Sequence, residues 1–337
     1  MLFAAWLSLA LIAGDDLADL KQLAAPLDPA KTADLDADEV RELLEANAKK
    51  ALAILRKLEA ARPEAPQLND ARLYALRAVS HYEPMALDKE PLEVAKRLRA
   101  ATAKGSEHAA EADLFLVSAD IRGRLLAAKS GDDFKEAWSQ NAESFRKKIV
   151  AYLDDHPKYA PAADALRGLL PLLELAGDTP TRDLVLRRVA ENLPEHPLAR
   201  VAALRLAVGK PFDMPLPASV GSLKERRGKV VLIHFWASWC VPCAVEVEVL
   251  RELRDKYRDK LDLIGITVEE KEAASKRFLA RTKADWKQVL GKAGLELARQ
   301  YGIETLPTTL VIDATGKLHS IDTRERLASI VSKLLDK

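Results

Sequence analysis

The sequence predicts a multidomain chain: an all-α N-terminal half of helical hairpins, then a C-terminal α/β domain. Three observations predict it. Residues 17–208 are rich in Ala, Leu, Glu, Lys and Arg, with few glycines and no sustained period-2 run. The segment GKPFDMPLPASVG, from Gly209, is rich in breakers and suits a domain boundary. After it, short apolar runs alternate with helical patterns. At roughly 100–200 residues per domain, the length of 337 residues leaves room for two cores. The expected division is a signal segment at 1–14, a helical interaction domain at 15–208 and an α/β domain at 209–337.

Each element follows in order. Met1–Ala13, MLFAAWLSLALIA, is uncharged and apolar, and shorter than a spanning helix requires. It matches the apolar region of a secretory signal peptide, although no Lys or Arg precedes it and no A-x-A site precedes Gly14. A buried N-terminal helix is the alternative. With a signal peptide the mature chain is extracytoplasmic, periplasmic or secreted, and no later segment is apolar enough to cross a membrane. Val40, Leu43 and Leu44 with Leu52, Leu55 and Leu58 keep the i, i+3, i+4 spacing of an amphipathic helix. Further helices fit 69–81, 91–103, 107–129, 133–154, 160–175, 181–192 and 197–207, separated by prolines and glycines.

Within this half, Asp155-His156-Pro157 and Glu195-His196-Pro197 lie 40 residues apart, followed at equal offsets by Ala162/Ala202, Ala163/Ala203 and Leu166/Leu206. The period suits helical hairpins loosely like tetratricopeptide repeats. His156 and His196 could be metal ligands, but no cysteine or carboxylate–histidine cluster joins them, so they read as turn residues. In the C-terminal part, Val230–Phe235 and Leu261–Val268 read as strands buried on both faces. Helices fit 245–257, 271–282, 295–301 and 327–335, and strands fit 286–290 and 308–313 with a hairpin turn at 314–317.

Composition narrows the function. A hydrophobic fraction of 48% excludes wholesale disorder. The balance of 52 Lys+Arg against 51 Asp+Glu leaves neither a nucleic-acid footprint nor a large acidic field. Two cysteines cannot build a disulfide framework or a four-thiolate zinc site, so no metal and no cofactor is expected. Both stand in Trp239-Cys240-Val241-Pro242-Cys243, between a strand and a helix. At a helix start, unpaired N–H groups and the positive end of the macrodipole favour thiolate over thiol at Cys240. Cys243, one turn on, can close a disulfide, and Pro242 is tolerated in the first turn. Cys240 therefore reads as the exposed nucleophile and Cys243 as the buried resolving thiol. Haem attachment would need His after the second cysteine, where Ala244 stands. Two inert core cysteines are the bland alternative.

Gly228–Cys243 (GKVVLIHFWASWCVPC), with Glu246, Tyr301-Gly302-Ile303 and Leu306–Asp313 (LPTTLVID), resembles the thioredoxin fold in its extracytoplasmic TlpA/ResA-like branch. The resemblance covers about the last third of the chain. It implies thiol–disulfide oxidoreductase activity on protein disulfides and dithiols, in the reducing direction, with an upstream redox partner. It also implies a cis Pro307 against the cysteine pair, with backbone near Leu306 pairing an extended substrate. Trp239, Val241 and Pro242 would shape the substrate surface, and residues 271–290 match the insertion that marks this branch. Glu246 falls where the branch places an acid near the thiols; a solvated helix face is the alternative. His234 stands where thioredoxin carries a buried aspartate for proton transfer, and is either a proton acceptor or a packed strand histidine. Peroxiredoxins share the fold but place Thr and Pro before an isolated cysteine, which Trp236-Ala237-Ser238-Trp239 does not match. The helical half is large enough to dock a partner or pair two chains, and in a third reading it is a scaffold with a redox-sensing domain.

Overall fold

The computed structural model describes residues 15–61, 63, 65, 67–322 and 326–336. The expected signal segment lies outside the described residues. The chain divides into two compact units, one ending at Val185 and one beginning at Leu186.

The first unit is helical. It contains α1 (residues 15–23), α2 (Pro29–Thr32), α3 (Ala37–Ala61), α4 (Leu68–Ser80), α5 (Lys89–Ala100), α6 (Glu107–Leu125), α7 (Gly131–Asp155) and α8 (Ala160–Ala176). It also holds the start of α9 (Thr179–Asn192). Local chemistry sets the ends. The Ser106 and Ser130 hydroxyls accept from the amides of Ala109 and Asp133, capping α6 and α7. Gly177, at φ 72°, takes the left-handed conformation that closes α8. The core runs through Leu52, Leu55, Leu76, Val79, Val94 and Leu98, on the periodic faces of α3, α4 and α5.

Several buried polar side chains in this unit are paired, whereas Tyr152 Oη and His156 Nδ1 have no hydrogen-bond partner among the described residues. The Asp178 carboxylate accepts from Trp138 Nε1 at 3.1 Å, Thr181 Oγ1 at 2.8 Å and Arg146 Nη2 at 3.2 Å. His156 Nε2 lies 2.9 Å from Asp113 Oδ2, and Arg99 Nε contacts both oxygens of Asp113. His196, in the second unit, is the N-cap of the helix that begins at Pro197, its Nδ1 accepting from the Leu198 amide. Neither histidine joins a metal cluster: among the described residues no group of three or more His, Cys, Asp or Glu could hold an ion. Among the same residues no helix is long and apolar enough to cross a membrane.

The second unit is built on a five-stranded sheet. Its elements are α10 (Pro197–Leu206), β1 (Val230–Trp236), α11 (Val241–Tyr257), β2 (Leu261–Thr267), α12 (Glu272–Thr282), β3 (Lys287–Val289), α13 (Gly291–Gln300), β4 (Thr308–Ile312), β5 (Leu318–Asp322) and α14 (Leu327–Leu335). The strand order is β3-β2-β1-β4-β5, with β1, β2 and β3 parallel and β4 antiparallel to both β1 and β5. This is the α/β architecture the alternating pattern predicts, arranged as a thioredoxin fold. Every residue of central β1 is buried. Val230, Leu232 and Trp236 pack with α11 and α14, while Val231, Ile233 and Phe235 pack with Phe212, Leu297 and Leu310 on the other face. Burying each such side chain stabilises by roughly 1.5–3 kcal/mol, which makes the one ionisable residue in this strand, His234, conspicuous.

Composition changes near Gly209, but the compact unit begins earlier, at Leu186. The reason is packing: Leu204 of α10 is buried in the same core as Phe212, Phe235 and Leu297. The repeat correspondence is kept only in part, since Ala202 is buried like Ala162 but Ala203 is exposed where Ala163 is buried. Strand β5 is full enough to pair along β4, and its hairpin turn is held by Asp313 Oδ1, which accepts from the amides of Thr315 and Lys317.

Candidate active site around the cysteine pair

Strand β1 delivers the chain to the sheet's end, and after four residues α11 begins. Cys240 is the N-cap of α11, and its Sγ accepts from the Cys243 amide at 3.2 Å. Pro242 sits in the first turn, where no helical hydrogen bond is lost. The sulfurs of Cys240 and Cys243 are joined in a disulfide, with the two Cα atoms 5.3 Å apart. Cys243 is fully buried, and Cys240 keeps only 5% of its surface. The exposed thiol expected from the sequence is thus nearly covered, because Cys240 belongs to the apolar cluster of α11 and Val247. Exposure falls instead on its neighbours, Trp239 at 69% and Val241 at 75%, with Pro242 also exposed.

The loop opposite carries the proline. Leu306-Pro307 is a cis peptide bond, and Leu306 packs against the cluster that includes both cysteines. Pro307 itself is buried. The loop closes on itself where Thr308 Oγ1 donates to the Thr305 carbonyl at 2.8 Å.

Beneath the disulfide lies a polar group of three. Glu246, one turn beyond Cys243, is almost buried rather than on a solvated face, and accepts from Thr309 Oγ1 at 2.5 Å. His234 lies directly opposite Thr309 across the β1–β4 pair, on the same face of the sheet. Its Nε2 is 4.0 Å from Glu246 Oε1, beyond hydrogen-bond range. Neither ring nitrogen has a hydrogen-bond partner among the described residues. Burial pushes the imidazole down to about 3, so it is neutral at ordinary pH. A neutral ring there can receive a proton only at high cost.

A second carboxylate holds the segment before Cys240. Glu269, just past β2, accepts from the Ser238 amide and the Ser238 hydroxyl, both at 2.7 Å. Ser275 Oγ of α12 adds a third donor at 3.0 Å. Helix α12 is thereby tied to the turn that precedes Cys240. Trp236, as expected, is core: it stacks on Phe278 and donates Nε1–H to Gln288 Oε1 at 3.1 Å.

The structure therefore gathers Cys240, Cys243, Trp239, Val241, Pro242, Leu306 and Pro307 at one end of the sheet, with Glu246 and His234 below them. Sequence reasoning missed Glu269 and Thr309. A signal existed for each. Glu269 follows a buried parallel strand, at whose carboxyl end α/β sites form, and Thr309 shares the period-2 face of Val311.

Residues 211–334 match the family model described as Redoxin. Thiol-disulfide oxidoreductase ResA of Bacillus thuringiensis subsp. konkukian is 32% identical over 117 residues, 33% of this chain and 67% of that protein. Thiol:disulfide interchange protein HelX of Rhodobacter capsulatus is 26% identical over 169 residues, 50% of this chain and 92% of that protein. Among solved structures, a thiol-disulfide oxidoreductase from Bacteroides fragilis is 30% identical, with a TM-score of 0.31, covering 37% of this chain and 96% of its own.

Proposed function

Because this chain belongs, through its C-terminal domain, to the family of ResA-type thiol–disulfide oxidoreductases, we propose that it reduces protein disulfides outside the cytoplasm through Cys240 and Cys243. The observation that carries the reading is Cys240 capping α11 with its sulfur already linked to Cys243. In the reduced chain the Cys240 thiolate, favoured by the helix terminus, attacks one sulfur of a substrate disulfide. A Cys240–substrate bond forms and the other substrate sulfur leaves as a thiolate. Cys243 then loses its proton and attacks Cys240 Sγ, releasing the second substrate thiol and restoring the Cys240–Cys243 disulfide. Two electrons pass to the substrate, and an upstream dithiol returns them to the pair.

Glu246 is assigned the proton of Cys243, since it is the nearly buried carboxylate one turn along the same helix. Thr309 holds it in place. His234 is assigned packing rather than proton transfer, because burial keeps its ring neutral. Trp239, Val241, Pro242, Leu306 and Pro307 form the substrate surface, an extended segment pairing with backbone beside Pro307. The apolar run Met1–Ala13 supports export. The helical unit is assigned the recruitment of partners or of a second copy. A cavity of about 350 Å³ between α6, α7 and α8, lined by Leu114, Ile121, Leu166 and Leu172, suits that role.

Cys243→Ser tests the chemistry. It should accumulate mixed disulfides at Cys240, identified by mass spectrometry after non-reducing electrophoresis. A variant that traps nothing under oxidising conditions would refute the reading. Leu172→Arg in the Cys243→Ser background tests recruitment: an unchanged set of trapped proteins removes the helical unit from partner choice.

A further inference from the structure

Helix α10 precedes the residues matched by the family, yet it backs the loop that ends in Pro307. The contact is closest at Gly302. A Cβ built there would lie 2.6 Å from Val201 N and 2.9 Å from Arg200 C, distances that real side chains do not adopt. Gly302 also has φ 62°, so both conformation and space require glycine. Arg200 Nη1 adds a long contact, 3.4 Å, to the Arg299 carbonyl at the end of α13. Leu204 is buried in the core against which Tyr301 and Ile303 pack. One end of the loop is thus held firmly against the backbone of α10.

Beyond it, Glu304 and Thr305 are exposed, between Ile303 and Leu306, which both pack into the core. Between α10 and residues 302–305 lies a cavity of about 80 Å³, walled by Val201, Leu204 and Arg205 on one side and by Gly302, Glu304 and Thr305 on the other. Arg205 is largely withdrawn from water, which lowers its pKa, and Glu304 is close enough to favour its charge. Glu304 stands three residues before Pro307, in this exposed stretch of the loop. A charge reaching across a small cavity can fix a segment that packing does not.

We propose that Arg205 of α10 is a positioning residue for substrate pairing, acting through Glu304 to hold residues 304–306 in the conformation that receives an extended polypeptide. The inference rests on the proposed reduction of protein disulfides along this loop. It makes part of the substrate site a property of α10, which precedes the residues matched by the family.

The test uses the full chain and two oxidised substrates. Insulin must lie along the loop, whereas 5,5′-dithiobis(2-nitrobenzoate) needs only the sulfur. Arg205→Gln should raise KM for insulin about threefold to tenfold. It should leave kcat, the reaction with the small disulfide and the pH profile of Cys240 alkylation as in the wild type. Arg205→Lys should restore most of the insulin KM, and Glu304→Gln should reproduce Arg205→Gln without adding to it in the double variant. An insulin KM within twofold of wild type in both Arg205→Gln and Glu304→Gln overturns the proposal. So does an equal fall with both substrates, which marks general loss of structure. A wild-type chain that reduces neither substrate overturns the functional reading, and this proposal with it.

Discussion

Two buried histidines show how differently the two units treat a polar group. His156, in the helical unit, sets Nε2 2.9 Å from the Asp113 carboxylate, which Arg99 holds in turn. His234, in the sheet unit, is as deeply buried but has its nearest carboxylate 4.0 Å away and no hydrogen-bond partner among the described residues. A paired buried group contributes to stability and specifies packing; an unpaired one is costly and is kept where something else is gained. Around these helix ends the helical unit pairs the buried groups of His156 and Asp178 with charged partners, although His156 Nδ1 and Tyr152 Oη have no hydrogen-bond partner among the described residues. The sheet unit leaves His234 without a hydrogen-bond partner among the described residues, beside a Thr309–Glu246 bond in the layer next to the two sulfurs.

The largest effect expected from breaking this contrast is in the helical unit. Asp178→Ala would strand the Trp138 indole, the Thr181 hydroxyl and Arg146 together. It should cost about 3 kcal/mol of unfolding free energy in urea titrations monitored by circular dichroism. Burial alone would raise the Asp178 carboxyl, but bonds from Thr181 and Trp138 and the nearby Arg146 hold it below the ordinary range. Its contribution is therefore present above the usual carboxylate pKa and is lost as pH falls through the lowered one. Asp178→Ala should remove that acid dependence.

In the sheet unit, Glu269→Gln should leave unfolding almost unchanged but lower kcat/KM for insulin about tenfold, because the Ser238 turn before Cys240 is released. Full activity in Glu269→Gln would show that packing alone holds the turn.

The smallest effect on activity belongs to His234. Its folded pKa, near 3, lies below the unfolded value near 6.5, so the unfolded chain takes up a proton first as pH falls. Stability should decline from about pH 6.5 downward, and His234→Asn should abolish that slope without moving the pH profile of Cys240 alkylation. A displaced alkylation profile would return His234 to the proton path.

What the sequence discloses follows from how local each feature is. Cys240, Pro242 and Cys243 are legible because a helix N-terminus and one turn of spacing define their roles. The helices of the first unit are legible for a similar reason, their bounds marked by prolines and glycines such as Pro157 and Gly177, while the caps from Ser106 and Ser130 emerge only in the structure. Pro307 and Glu246 become legible only through family resemblance, since nothing near them in the chain says they face the sulfurs. The Glu269–Ser238 and Thr309–Glu246 bonds span 31 and 63 residues, and hydropathy patterns do not report such pairings. That α10 belongs to the sheet unit is hidden for the same reason: its composition is that of the helices before it, while Leu204 packs in the core of the sheet.

Trp239 stands in water beside the disulfide while Trp138, Trp236 and Trp286 are enclosed. Among the described indoles it is therefore the one a dissolved collisional quencher such as iodide can reach. Anything that settles over the sulfurs must shade it. The site carries its own optical probe of occupancy, and a bound polypeptide could be counted by fluorescence without a label on either molecule.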